Sequence, residues 1–324
     1  YIDTKYGGPG KGWHRIAYSS QQAKEIIQNG KLAVILGVEV DYPMHAYRGT
    51  NMTDAKIENE LNLYYSMGIR HVFPIHFDNN AFGGTAYDKI LCEQTQDLVQ
   101  NPARPYKITT RINNAYKRDG GRCNQEGLTP AGKMLIKKLM EKGMIIDVDH
   151  TSAFSKNDIL TIAELYQYPA IVSGHTGFVE LAKDPEKSHE GNLLPLEIDR
   201  IRNLGGMIAP ILNQGHDIYE WRSGNTSVKQ NCRGTAETFA QAYLYIRDKM
   251  YGKPLAFGSD FNGMINAFGP RFGTDACPCG KTANTIYPKT QYPFTSLASY
   301  QVMNKSMVGT KIFDINDDGL AHVG

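Results

Sequence analysis

Short apolar runs and helix-period segments take turns along most of this chain, and that alternation constrains the fold more than any other feature. "LAVILGVE" (32–39) reads as a buried strand, "DAKIENELNLYYSMG" (54–68) as an amphipathic helix closed by Gly68, and "RHVFPIH" (70–76) as the next strand. Residues 77–128 are rich in Asn, Gly and Pro and read as a long loop. The pattern then resumes. "TPAGKMLIKKLMEKG" (129–143) has Thr129 at the N-cap, Pro130 at the first helical position and Gly143 as its stop, and it feeds "MIIDVDH" (144–150). Helices over 155–167, 195–204 and 235–251 then alternate with strands over 169–175, 206–213 and 254–260. Strands joined through helices pair in parallel, so a parallel α/β sheet is predicted.

The six strands end on polar residues: Glu39, His76, His150, His175, Asn213 and Asp260. A (β/α)8 barrel assembles its site from many strand ends, whereas a doubly wound open sheet uses one switch point, so the barrel is the favoured architecture. Six strands are two short of eight. The expectation is a single TIM-like (β/α)8 barrel domain over 1–324 that lacks its first two strands, with 264–324 as C-terminal loops and an extension packed on it. The chain begins at Tyr1 without an initiator Met, which suggests that an N-terminal segment has been removed.

Composition narrows the partners. The 324 residues are 41% hydrophobic, enough for a core, and 35 Lys plus Arg against 33 Asp plus Glu leave a net charge of +2 that offers nucleic acid no basic face. No apolar run nears the ~20 residues that span a bilayer. Small molecules are the expected partners, with a homodimer left open. Cys92, Cys123, Cys232, Cys277 and Cys279 form no zinc-finger spacing, while disulfides remain open and favour an extracytoplasmic location over the cytoplasmic alternative.

Glu39, His150, His175 and Asp260 together supply two imidazoles and two carboxylates, the donor set of Zn²⁺ and similar divalent metals. One strand-end histidine is most often a structural one. Four such residues buried unpaired would each cost several kcal/mol, so a shared metal is the better explanation. Strand alternation sets Asp147 and Asp149 on the face opposite His150, which makes them hydrogen-bond partners rather than ligands. His71, at a strand start, reads as structural.

"EGLTPAGKMLIKKLMEKGMIIDVDHTS", "PAIVSGHTG" and "AFGSDFNG", preceded by "GKLAVILGVE" and "MGIRHVFPIHFDNN", resemble in order and spacing the membrane (renal) dipeptidases, zinc metallopeptidases with an amidohydrolase-like barrel. The likeness runs from about residue 20 to 265. It implies hydrolysis of dipeptides or similar small amides by a metal-bound hydroxide at a site of two Zn²⁺ ions. Glu39 would bridge the metals, His150 and His175 would ligate one zinc, and Asp260 would lie beside the other and the attacking water. His76 would bind substrate and polarise the tetrahedral intermediate, and Asn213 is a second candidate substrate contact.

Three departures qualify the likeness. The family opens with a His-x-Asp pair that supplies two metal ligands, and His14 is followed by Ile16 instead of Asp. Gly191 stands where the family carries an Arg that clamps the substrate carboxylate, and Asn262 stands where Asp is frequent. A catalytically impaired or single-metal relative with a binding or structural role is therefore the alternative. "YGGPGKGW" (6–13) lacks the GK[ST] ending of a phosphate loop, and "DINDDG" (314–319) lacks the closing Glu of a calcium loop. The aromatic stretch 287–301 is a candidate wall of the substrate pocket.

Overall fold

The computed structural model describes residues 2–87, 108–109, 123–181, 188–214, 235–261, 291–296, 300–308 and 310–314. Asn262, Cys92, Cys232, Cys277 and Cys279 lie outside them, as do most of 77–128, 264–324 and 314–319; Cys123 is buried.

The parallel sheet expected from the alternation is present. Its elements in chain order are α1 (Ile2–Lys5), β1 (His14–Ile16), α2 (Ser20–Gln28), β2 (Leu32–Val34), β3 (Leu36–Val38), α3 (Asp54–Ser66) and β4 (Ile69–Val72). They continue with β5 (Ile108–Thr109), β6 (Cys123–Asn124), α4 (Pro130–Glu141), β7 (Ile145–Asp147), α5 (Ala153–Tyr166), β8 (Ile171–Thr176), α6 (Pro195–Leu204), β9 (Met207–Pro210) and α7 (Ala236–Lys249). Five strands form one sheet in the order β3-β4-β7-β8-β9, with β3-β4, β4-β7 and β7-β8 parallel. The run 254–260 joins β9 through parallel bridges, Leu255 to Ile208 and Gly258 to Ile211, rather than as a full strand.

The chain divides into two compact units. One holds the described residues up to 109, with 123–173 and 203–206; the other holds the described residues of 174–202 and from 207 onward. The division falls inside β8, between Ser173 and Gly174.

In the first unit α2, α3, α4 and α5 start where a side-chain cap replaces a missing helical acceptor. Thr53 Oγ1 accepts from Lys56 N at 3.3 Å ahead of α3, and Thr129 Oγ1 accepts from Gly132 N at 3.0 Å ahead of α4. Both helices are followed by glycines with positive φ, Gly68 at 91° and Gly143 at 66°, where a side chain would be strained. Helix α5 begins two residues earlier than expected because Ser152, not a later residue, is its cap: Ser152 Oγ accepts from Ser155 N at 2.9 Å. The helices lay apolar faces on the sheet, so that Ile57, Leu61, Leu135, Leu139, Ile146 and Ile159 are fully buried, each worth roughly 1.5–3 kcal/mol. Glycine allows the closest approach, since a Cβ on Gly132 would meet Phe82 O at 1.9 Å.

Near the N-terminus two strand readings differ from the structure. The run 32–39 is two strands, because β2 pairs in parallel with β1 while β3 turns to pair with β4. Strand β1 itself was not expected: three residues of mixed polarity between a glycine-rich stretch and "AYSS" carry too little periodicity to announce a strand. In the second unit, α6 and α7 fall where expected and bury Ile198, Ile201 and Ile246.

Candidate metal centre

Three loops of the first unit, each following the C-terminal end of a sheet strand, converge. The loop after β3 carries Glu39 and Asp41, the one after β4 carries His76 and Asp78, and the one after β7 carries His150. His150 Nε2 stands 3.0 Å from Glu39 Oε1, and His76 Nε2 stands 3.8 Å from the same oxygen. The two imidazoles meet edge to face with centroids 4.4 Å apart, and Phe77 closes on His150 edge-on at 4.8 Å.

His150 is held in a conformation that few side chains adopt, with φ at 61°. Its carbonyl accepts from Ala86 N at 2.7 Å and Thr85 Oγ1 at 2.9 Å, so the surrounding loop fixes the turn. This corrects the expectation of a strand over 144–150. Strand β7 ends at Asp147, and the alternation argument that placed Asp149 opposite His150 does not reach His150. Both aspartates are nonetheless buried hydrogen-bond partners. Asp147 Oδ2 lies 2.9 Å from His71 Nε2, Asp147 Oδ1 accepts from Asp149 N at 2.9 Å, and Ser173 Oγ donates to Asp149 Oδ1. His71 thereby has the structural part expected of it.

Strand β8 carries His175. Within the first unit, Glu39 and His150 bring a carboxylate oxygen and an imidazole nitrogen to one point, with the second imidazole of His76 beside them. In the second unit, Asp260 is half-buried with φ at 48°, and Asn213 is half-buried next to the buried Gln214. Gly258, two residues before Asp260, packs so closely that a Cβ there would meet Gly174 O at 2.2 Å and His175 Cβ at 2.5 Å. Gly191 N donates to His189 Nδ1 at 2.9 Å.

The residue that sequence reasoning missed is Asp41. Its Oδ1 is 2.7 Å from His76 Nδ1 and accepts from Phe77 N at 3.1 Å. The hydrogen bond with His76, more than anything else, holds the Asp41 carboxyl below the usual carboxylate value. Its neighbour Asp78 goes the other way: burial pushes its carboxyl up, although it accepts from the Tyr42 hydroxyl. The only signal in the sequence was a second carboxylate two residues after Glu39 in "GVEVD".

A parallel α/β sheet with a histidine–carboxylate cluster beyond its strand ends is the frame on which barrel enzymes assemble their sites. The chain belongs to the membrane dipeptidase family, peptidase family M19, whose pattern matches residues 106–269, about half of the sequence. An uncharacterized dipeptidase of Schizosaccharomyces pombe is 25% identical over 236 residues, 73% of this chain and 43% of that protein. The probable dipeptidase PvdM from Pseudomonas aeruginosa superposes with a TM-score of 0.54 at 16% identity, covering 79% of this chain and 64% of that one. A metallo peptidase from Rhodobacter sphaeroides, liganded with a phosphinate mimic of the dipeptide L-Ala-D-Ala, superposes with a TM-score of 0.51 at 16% identity over 78% of this chain and 57% of that one. The fold is therefore the TIM-like barrel of these metallohydrolases. The chain spans less than half the length of the curated relatives it matches.

Proposed function

We propose that this chain carries the metal-binding and substrate-polarising part of a zinc-dependent hydrolase that cleaves the amide bond of dipeptides or similarly small amides. The convergence of Glu39, His150 and His76 inside one unit carries this reading, since two imidazoles and a carboxylate so close suit a metal-assisted site. In this proposal Glu39 and His150, with His175 as a further donor, would hold the zinc. Bound zinc supplies a Lewis acid for the scissile carbonyl and a water of lowered pKa.

The remaining steps fall to the chain's own side chains. Asp260 takes the proton of the attacking water and hands it to the leaving amine. His76 presents Nε2 to the oxygen on which negative charge develops, a contribution of about 3 kcal/mol in sites of this kind. Asn213 is a second substrate contact. A free α-carboxylate on the substrate needs an anchor other than the guanidinium that Gly191 does not provide, which favours small amides beyond simple dipeptides. The assay is hydrolysis of a dipeptide panel by the chain as purified, after chelation and after zinc is restored. The expected result is activity that disappears with the metal and returns with it. Cleavage that chelation leaves untouched contradicts the proposal.

A further inference from the structure

We infer that Asp41 is the positioning residue of His76: it fixes Nδ1 as the donor nitrogen and so leaves Nε2 as the atom that faces the reacting group. The inference rests on the hydrolytic reading for its catalytic consequence, and on geometry alone for the orientation itself.

An imidazole has two nitrogens, and which one reaches the substrate is set by what the other one meets. Here Nδ1 meets a carboxylate oxygen at 2.7 Å, while Nε2 points towards Glu39 Oε1 at 3.8 Å. A carboxylate only accepts, so the bond at Nδ1 requires the proton to sit on Nδ1. Asp41 is itself held on two sides. Phe77 N donates to the same Oδ1 at 3.1 Å, and Asn80 Nδ2 donates to the Asp41 carbonyl at 3.0 Å while also reaching Pro74 O at 3.0 Å. Asn80 thus ties the loop after β3 to the loop after β4. The His76 carbonyl accepts from Thr85 Oγ1, which also donates to the His150 carbonyl at 2.9 Å. The Asp41 carboxylate cannot turn away without losing Phe77 N, and the backbone of both residues is fixed at its carbonyls. An anchored carboxylate behind a histidine also stabilises the imidazolium form, the form that donates from Nε2 to a developing oxyanion.

The test is ¹⁵N NMR of the full chain labelled at histidine, stripped of metal and loaded with zinc, with the His76 signals identified by their loss in His76→Gln. A protonated Nδ1 is expected in the wild-type chain in both states, a shift to the Nε2–H tautomer in Asp41→Ala, and a retained Nδ1–H in Asp41→Glu. In dipeptide hydrolysis, Asp41→Ala is expected to lower kcat roughly 10–100-fold with KM changed less than about twofold and zinc content unchanged, and Asp41→Glu to recover part of the loss. If the alanine variant does not fold, Asp41→Asn carries the same test, with at least a tenfold loss of kcat expected from the missing charge. An unprotonated Nδ1 in the wild-type chain, an Asp41→Ala variant with unaltered tautomer and kcat, or loss of zinc on replacing Asp41 overturns the inference. A chain that cleaves neither dipeptides nor other small amides yet shows an Asp41-dependent Nδ1–H sinks the hydrolytic reading and supports the positioning.

Discussion

At the scale of single residues, the site depends on backbone that only a few side chains tolerate. Gly258 leaves His175 its place, and a methyl group there would collide with the backbone at Gly174 and with the His175 Cβ. Neither contact is the free end of a flexible side chain, so strand β8 or the segment at 258 must move. Gly258→Ala is therefore expected to weaken zinc binding at least tenfold and to cost about 1–3 kcal/mol of stability, checked by competition with a chromophoric chelator and by thermal denaturation. Wild-type zinc affinity in that variant would show that His175 is not held as described. Glu39, His76 and His150 stood out in the sequence as candidates because each ends a run of strand-like residues. Asp41 did not, because its part comes from a histidine 35 residues away that the fold brings to it, and no local pattern encodes that meeting.

At the scale of elements, helix starts and stops were the most readable features, because caps are local chemistry. Thr129, Pro130 and Gly143 bound α4 as their types dictate. Strand ends were read too long. "RHVFPIH" and "MIIDVDH" keep apolar residues up to the one or two positions before their closing histidines, yet β4 stops at Val72 and β7 at Asp147. Apolar content reports burial, and a buried loop is as apolar as a strand. Helices α3 and α4 are joined through Glu58, which accepts from Lys138 at 3.0 Å and Lys142 at 2.9 Å. Those two lysines hold the Glu58 carboxyl down at about 2. A folded-state pKa depressed below that of the unfolded chain adds stability that is complete above about pH 4.5 and is lost as pH falls towards 2. Glu58 is partly open to solvent, so Glu58→Gln should cost only about 0.5 kcal/mol at neutral pH and flatten the acid limb of a stability–pH curve. An unchanged acid limb contradicts the link. Ser152→Ala, which removes the α5 cap beside His150, is expected to cost about 1 kcal/mol by urea denaturation.

At the scale of the whole molecule, the alternation of strands and helices yielded the fold class, and the quoted motifs yielded the family that residues 106–269 match. Strand β1 and the break at Ile35 escaped because short, half-exposed strands lack a period to detect. No helix among the described residues is long and apolar enough to cross a membrane. The central proposal is that Glu39, His150 and His175 are zinc ligands. It is tested most directly by titrating the metal-stripped chain with zinc alongside Glu39→Gln, His150→Asn and His175→Asn. The expected result is at least one tightly bound equivalent in the wild-type chain and a loss of 100-fold or more in affinity in each variant. No bound zinc, or variants that bind as the wild type does, would contradict it.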